Sequence, residues 1–282
     1  MKRLFKVIRN IVIVVIIMSL CTYGLYKFKV SQSGSLNIVI IGIDKREGES
    51  VSRSDSLMIA HVDRDHKQVD LISIPRDSYV YIPLVQRQEK ITHAHAYGGI
   101  EGTMETMEFL FESEFDYYIE VDFKKMIALV DSIGGIELTP TATFCEMNEI
   151  DEEGSYCFQE GVSEQMNGAK ALAYSRHRKS DSDLFRAARQ QEVIKAMISK
   201  VKSSSVLGIY NFYKDVEAIS DTNLDLWTIF GYSDMAFHDF SFIQEVATGE
   251  DAYLYDEYYG QELYYFMMNE AWLTNKIQEI KR

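Results

Sequence analysis

Residues Leu36–Ile43 read LNIVIIGI, in which every position except Asn37 and Gly42 is aliphatic and most are β-branched. A strand with one wet face alternates apolar and polar residues, whereas an unbroken run belongs to a strand covered on both faces. That run therefore predicts a central strand between two layers. Two further apolar runs follow, Ser56–Val62 and Gln68–Ile74. They are joined by the polar turn DRDHK, and Pro75 stops the second, which predicts a hairpin.

Periodicity then changes. Gly98–Glu114 carries Ile100, Met104, Met107, Phe109, Leu110 and Phe111 at helical spacing, and Tyr117–Val121 reads as a strand. Phe123–Ser132 reads as a helix ended by Gly134-Gly135, where left-handed backbone is needed. Ile136–Thr141 returns as a strand, and Asn167–Tyr174 and Leu184–Val201 supply two more helices. Alternating strands and helices predict a layered α/β domain. With 282 residues and 46% hydrophobic content, one main core is expected.

Ahead of this domain, Lys2, Arg3, Lys6 and Arg9 precede an apolar to weakly polar run, Ile11–Tyr26, closed by Lys27 and Lys29. Extended by its neighbours, that run can span a bilayer, and the heavier positive charge before it keeps the N-terminus in the cytoplasm. A cleaved signal peptide is the competing reading. No AxA-like exit is present, and Leu20 stands before Cys21 where lipid attachment needs a small residue. The expected organisation is an anchor over 1–30, a linker over 31–36, the layered α/β domain over 37–205 and a C-terminal extension over 206–282. In an exported domain, Cys145 and Cys157, on either side of an acidic loop, are free to form a disulfide or to remain thiols.

The net charge of −14 argues against nucleic acid as a partner, because phosphate backbones are bound by basic surfaces. From Val206 onward four basic side chains stand against fourteen acidic ones, so the preceding domain is nearly balanced. The extension is also rich in aromatic residues, including Tyr253, Tyr255, Tyr258, Tyr259, Tyr264, Tyr265, Phe266 and Trp272. Packing on the domain and contact with a sugar or a partner are both open to it.

Charges gather where the strands are expected to end. Asp44 and Arg46 follow the first, Arg53 and Asp55 begin the second, and Arg76-Asp77 follow the third. Loops at one edge of a layered sheet converge on one cleft. Arg176, Arg178, Arg186 and Arg189 fall within fourteen residues, and Arg186, Arg189 and Gln190 share a helix side at i, i+3 and i+4. A solvated helix face is the plain reading. The sharper one is an anion clamp, because guanidinium forks match phosphate oxygens. Asp44 and Asp55 suit Mg²⁺, which takes one or two carboxylates beside phosphate oxygens and water; Mn²⁺ is the alternative ion.

The strings NIVIIGIDKR, SRSDSLMIAHVD, LISIPRDSYVYIP, KITHAHAYGG, LVDSIGGIEL and ALAYSRHRKSDSDLFRAARQQ occur in this order behind the N-terminal run. Together they resemble the LytR–CpsA–Psr family of cell-envelope proteins over about Asn37 to Val201. The resemblance implies an α-β-α domain with a mixed central sheet, anchored in the cell membrane by one helix and facing outward. It also implies a phosphotransferase. Such an enzyme moves a glycan polymer, such as teichoic acid or capsule, from a polyprenyl-pyrophosphate carrier to peptidoglycan and forms a phosphodiester. By position, Asp44 and Asp55 would hold the metal. Arg53, Arg76, Lys90, Arg176, Arg178, Arg186 and Gln190 would bind pyrophosphate, with Arg189 in support. Arg76, Asp77 and Arg178 would carry the catalysis, Asp77 being either a general base or a turn aspartate paired with its neighbours. The lipid is expected between the Gly98–Phe111 and Leu184–Val201 helices. Thr92 departs from the family's usual asparagine, which leaves the roles of Thr92, His93 and His95 open. Two other readings stand: a hydrolase of the same linkage, and a non-catalytic sensor of the lipid carrier working with other envelope-assembly proteins.

Overall fold

The computed structural model describes residues 2–30, 34–44, 52–147, 155–177, 183–232, 235 and 239–281. Arg46, Arg178, the first half of the expected linker and the centre of the acidic loop lie outside the described residues. The chain begins with α1 (Lys2–Val30), β1 (Ser35–Ile43), β2 (Ser54–Asp63) and β3 (Gln68–Ile74). A small hairpin, β4 (Tyr79–Ile82) and β5 (Arg87–Lys90), leads into α2 (Thr92–Phe111). Next come β6 (Tyr117–Asp122), α3 (Phe123–Ser132), β7 (Ile136–Leu138), β8 (Phe144–Glu146), β9 (Tyr156–Phe158), β10 (Glu164–Met166), α4 (Gly168–Arg176) and α5 (Asp183–Lys202). The remainder forms α6 (Val206–Ile219), β11 (Asp221–Thr222), α7 (Leu226–Gly231), β12 (Ser241–Val246), β13 (Gly249–Asp256), β14 (Gln261–Met268) and α8 (Glu270–Ile280).

The main sheet has six strands in the order β11-β6-β1-β2-β3-β12. It is mixed: β1 runs parallel to β6 and β12 parallel to β3, while β2 is antiparallel to both of its neighbours, β1 and β3. One face carries Val39, Ile41, Ile43, Leu57, Ile59, Ile72 and Ile74 against Met107 and Phe111 of α2 and Trp272, Leu273 and Ile277 of α8. On the other face α3 packs over β6 and α5 over β3 and β12. Those helices leave β1 between them, so Ile38 and Ile40 are half-buried. Burial on both faces, expected of β1, belongs to β2 and β3 instead, where Leu57–His61 and Val69–Ile74 are buried without interruption.

A second core joins Val130, Ile136, Phe144, Phe158, Met166, Tyr174 and Val193 from α3, α4, α5 and the short strands between them. Here α4 starts on an Asn167 cap whose side chain accepts from Lys170 N. A Cβ at Gly168 would stand 2.2 Å from Ile127 O, so only glycine lets α3 and α4 come this close. Helix α2 begins six residues before its expected start and bends at Gly99, where φ is 59° and ψ is −142°. Its first turn carries threonine and histidines rather than apolar residues, so periodicity could not reveal it.

The residues after 205 complete the domain. They supply both edge strands of the main sheet and α8, whose Ile280 carbonyl accepts from Asn37 Nδ2 of β1. The boundary expected at 205 therefore falls inside the fold. Beside the second core, Cys145 and Cys157 sit opposite each other in the β8–β9 hairpin and are disulfide-bonded. Closing this loop restricts the unfolded chain, so the double serine variant is expected to lose about 3 kcal/mol. Urea unfolding with and without reductant measures it; equal midpoints for wild type and variant would show that the bond contributes nothing.

Among the described residues no helix is long and apolar enough to cross a membrane. In α1 every described side chain from Ile11 to Thr22 is exposed, including Ile11, Val12, Ile13, Val14, Val15, Ile16, Ile17, Met18 and Leu20.

Candidate functional site

The ends of β1, β2 and β3 meet at one edge of the sheet, because Ile43 pairs with Ser54 and Leu57 with Ile74. Pro75 closes β3 with a tight turn in which Ser78 N and Ser78 Oγ both donate to the Pro75 carbonyl, at 3.0 and 2.6 Å. The turn presents Arg76 and Asp77. Arg76 Nη1 donates to Asp55 Oδ1 at 2.7 Å, and Arg76 Nε lies 3.5 Å from Asp77 Oδ2. Lys90 Nζ donates to Asp77 Oδ1 at 2.6 Å. Asp77 thus stands between two cations at the edge of the cleft.

The residues around Lys90 act as supports. Thr92 N donates to the Arg76 carbonyl at 3.2 Å, and Thr92 Oγ1 to the Ser54 carbonyl at 2.8 Å. His95 Nδ1 donates to the Ser52 carbonyl at 2.9 Å, while its Nε2 pairs with Glu120 Oε2 at 2.7 Å. Thr92 and His95 therefore hold both sides of Arg53 from the N-terminus of α2. His93 belongs to a separate group with Glu89, Tyr97 and Arg87.

Helix α5 closes the opposite side. Gln190 Oε1 accepts from Ser56 Oγ at 2.9 Å. Next to it, buried Gln191 directs Nε2 at the Leu71 carbonyl, Ser73 Oγ and the Glu245 carbonyl, fixing α5 to β3 and β12. The result is two adjoining hollows that share Asp55, Arg76 and Asp77. The deeper one, about 320 Å³, adds Arg186, Gln190 and the apolar side chains Leu57, Ile74, Leu184, Ala187, Val246 and Phe266. The second, about 300 Å³, adds Arg53, Lys90, Thr92, His93 and Tyr259. Arg53, Asp55, Arg76, Asp77, Lys90, Arg186 and Gln190 are thus brought together.

Other expected residues fall elsewhere. Arg176 lies over the Phe123 ring at 4.7 Å. Arg189 is buried, donates from Nη2 to the His177 carbonyl at 2.6 Å and covers Phe144. His177 in turn stacks on Phe144 and pairs with Glu146 Oε2 at 2.8 Å, so the disulfide hairpin braces the segment between Arg176 and the undescribed Arg178. Helices α2 and α5 do not enclose a common tunnel. Met107 of α2 packs on the face of Ile59 and Ile72, whereas Gln190 and Gln191 of α5 reach Ser56 and Ser73 on the other face. The apolar wall of the deeper hollow comes instead from α5, the strand ends and β14.

Among the described residues no group of three or more His, Cys, Asp and Glu is arranged to hold a metal. Asp44 and Asp55 still fit a hard cation that shares its shell with phosphate. They leave neighbouring strand ends. Asp44 is half-buried, and among the described residues neither its carboxylate nor Asp55 Oδ2 has a hydrogen-bond partner.

Sequence reasoning missed the wall formed by the β13–β14 hairpin. Phe266 N donates to the Asp77 carbonyl at 2.9 Å, which seats the hairpin beside the cleft. Tyr258 covers the Arg87 guanidinium at 4.0 Å, and the Tyr264 and Tyr265 rings lie 5.6 and 5.7 Å from Lys90 Nζ. Burial and a 2.5 Å hydrogen bond to Asp256 push the Tyr265 hydroxyl up. Burial works against the Asp256 charge, but that bond and the N–H groups of Tyr258 and Tyr259 hold its carboxyl below the usual range. The doubled tyrosines among acidic residues were the available signal.

The sequence profile of the LytR_cpsA_psr family matches residues 21–281. The polyisoprenyl-teichoic acid–peptidoglycan teichoic acid transferase TagT of Bacillus subtilis is 36% identical over 256 residues, covering 88% of this chain and 75% of the relative. The enzyme of the same description named TagU, from Bacillus licheniformis, is 31% identical, covering 87% and 76%. Among solved structures, B. subtilis TagV superimposes with a TM-score of 0.76 at 25% identity, over 88% of this chain and 96% of its own. TagT bound to LIIa-WTA superimposes with a TM-score of 0.71 at 30% identity, over 88% and 90%.

Proposed function

The chain belongs to the LytR_cpsA_psr family, and from that premise we propose that it transfers a glycan polymer from a polyprenyl-pyrophosphate carrier to peptidoglycan through a new phosphodiester. The observation that carries this reading is the cluster of Arg53, Arg76, Lys90, Arg186 and Gln190 around two hollows that share the Arg76-Asp77 turn. Guanidinium forks and an ammonium in a half-enclosed cleft neutralise a pyrophosphate and fix its orientation.

The acceptor sugar hydroxyl attacks the phosphorus that bears the glycan. A new P–O bond forms, the bridging P–O bond breaks, and polyprenyl monophosphate leaves with that electron pair while the hydroxyl proton passes to solvent or a nearby base. Arg76 and Lys90, aligned by Asp77, face the charge that shifts onto the leaving phosphate. Arg186 and Gln190 hold the opposite side, and the apolar wall of Leu184, Ala187 and Phe266 receives the first units of the lipid. When bound between Asp44 and Asp55, Mg²⁺ would supply Lewis-acid stabilisation of the phosphate oxygens.

The anchor is part of the proposal. Helix α1 is 29 residues long, or about 43 Å at 1.5 Å per residue, and its exposed aliphatic side chains would be stabilised by lipid. The basic residues of its first turns, Lys2, Arg3, Lys6 and Arg9, would keep the N-terminus in the cytoplasm and put the domain outside, where the Cys145–Cys157 bond would persist.

The test uses the full chain in nanodiscs with lipid-linked teichoic acid, Mg²⁺ and a peptidoglycan oligomer. Polymer coupled to the oligomer is expected. Release of glycan phosphate at the same rate with and without acceptor would make the protein a hydrolase, and no turnover with tight lipid binding would make it a sensor.

A further inference from the structure

The β13–β14 hairpin has two unlike faces. Ala252, Leu254 and Tyr265 turn toward the domain, whereas Asp251, Tyr253, Tyr255, Glu262 and Tyr264 share the other face through the pairs Tyr253↔Tyr264 and Tyr255↔Glu262. That outer face is continuous with the cleft. Phe266, Asp251 and Tyr264 line the deeper hollow beside Arg76 and Arg186. From there the strip runs outward to Tyr253 and Tyr255, which are 73% and 66% exposed. Four residues of strand separate the pair at the cavity rim from the pair at the outer end, about 13 Å at 3.3 Å per residue.

Across the strands the Tyr253 and Tyr264 rings meet edge to face at 5.7 Å, which makes a platform of adjoining aromatic surface. Tyrosine is suited to sugars: the aliphatic C–H face of a pyranose packs on its ring, and its hydroxyl and neighbouring carboxylates accept sugar O–H and N–H groups. Charge then selects the glycan. The hairpin carries Glu250, Asp251, Asp256, Glu257 and Glu262 and no lysine or arginine. A polymer with a phosphate in every repeat is repelled by this surface; an uncharged sugar strand is not.

We propose that the outer face of the β13–β14 hairpin binds the acceptor, as an uncharged glycan strand of peptidoglycan laid along Tyr264, Tyr253 and Tyr255 toward the pyrophosphate cleft. This assignment rests on the transferase reading for its word acceptor. The surface itself requires only that an uncharged glycan bind there. Donor and acceptor then approach from different sides: the anionic polymer avoids the acidic hairpin, and the hairpin guides a sugar hydroxyl to the Arg76 edge.

The full chain in detergent, without donor, is titrated with chitohexaose as an uncharged N-acetylated glycan and with poly(glycerol phosphate) as the anionic one. Wild type is expected to bind chitohexaose and to prefer it. Tyr253→Ala/Tyr255→Ala is expected to raise its Kd at least about tenfold with the melting temperature unchanged, while Tyr253→Phe/Tyr255→Phe keeps most of the affinity. In transfer assays the alanine variant raises the acceptor KM and leaves kcat unaltered. Equal chitohexaose binding by wild type and alanine variant, or preference for poly(glycerol phosphate), would overturn the assignment. Because binding is read without donor, a wild type that binds chitohexaose but transfers nothing would strike the proposed function and leave the surface standing.

Discussion

Arg76→Ala is expected to lower kcat/KM for transfer by about 10³-fold or more, the scale on which a single arginine acts at a phosphoryl group. Among the described cations only Arg76 borders both hollows, and it contacts the two carboxylates that they share, Asp55 and Asp77. Its loss removes the charge closest to the shared wall and leaves two aspartates facing the incoming pyrophosphate. The side chain is partly open to water and belongs to neither hydrophobic core, so the fold should survive. Arg76→Lys keeps the charge without the planar fork and should recover only part of the loss. Steady-state kinetics beside thermal unfolding separates the two effects; wild-type activity in the alanine variant would remove this site from the chemistry.

Asp55→Asn should cost about 10²-fold in kcat, the size of effect seen when a group that stabilises transition-state charge is removed. The substitution keeps the shape but weakens the ion pair with Arg76 and removes one of the two carboxylates proposed to hold Mg²⁺. Two signatures distinguish these consequences. If Asp55 serves the metal, the Mg²⁺ concentration for half-maximal rate rises in the variant and excess Mg²⁺ restores part of the activity. If it serves only to orient Arg76, the metal profile is unchanged and Arg76→Ala adds little further loss, because the two residues act as a pair. Transfer by wild type that persists undiminished in excess EDTA would end the metal proposal.

The elements that were legible in the sequence are those whose neighbours are close by. LNIVIIGI identified β1 near the middle of the sheet, and the DRDHK turn identified the β2–β3 hairpin. Strand β12 reads SFIQEV, an edge strand with much of its surface exposed, and its parallel partner β3 lies about 170 residues earlier. No local pattern encodes that pairing. The same holds for the β13–β14 hairpin, whose place beside the cleft depends on Phe266 meeting the Asp77–Ser78 segment.

In the site, strand-end charges were readable because each borders an apolar run. Spacing on α5 was a coarser guide. Arg186 and Gln190 are separated by only about 40° around a helix, and both line the deeper hollow, whereas Arg189 is about 60° from Arg186 on the opposite side and enters the second core. The supporting roles of Thr92 and His95 needed the tertiary structure, since they hold Ser52 and Ser54 some forty residues away.

The most direct test follows phosphorus through the reaction. Full-length protein in nanodiscs is given lipid-linked teichoic acid and a peptidoglycan oligomer, and ³¹P NMR records the products. Polyprenyl monophosphate and a sugar phosphodiester should appear in equal amounts, and neither should form with Arg76→Ala. Polyprenyl monophosphate accompanied by a glycan phosphomonoester, with no phosphodiester, would contradict transfer at this site.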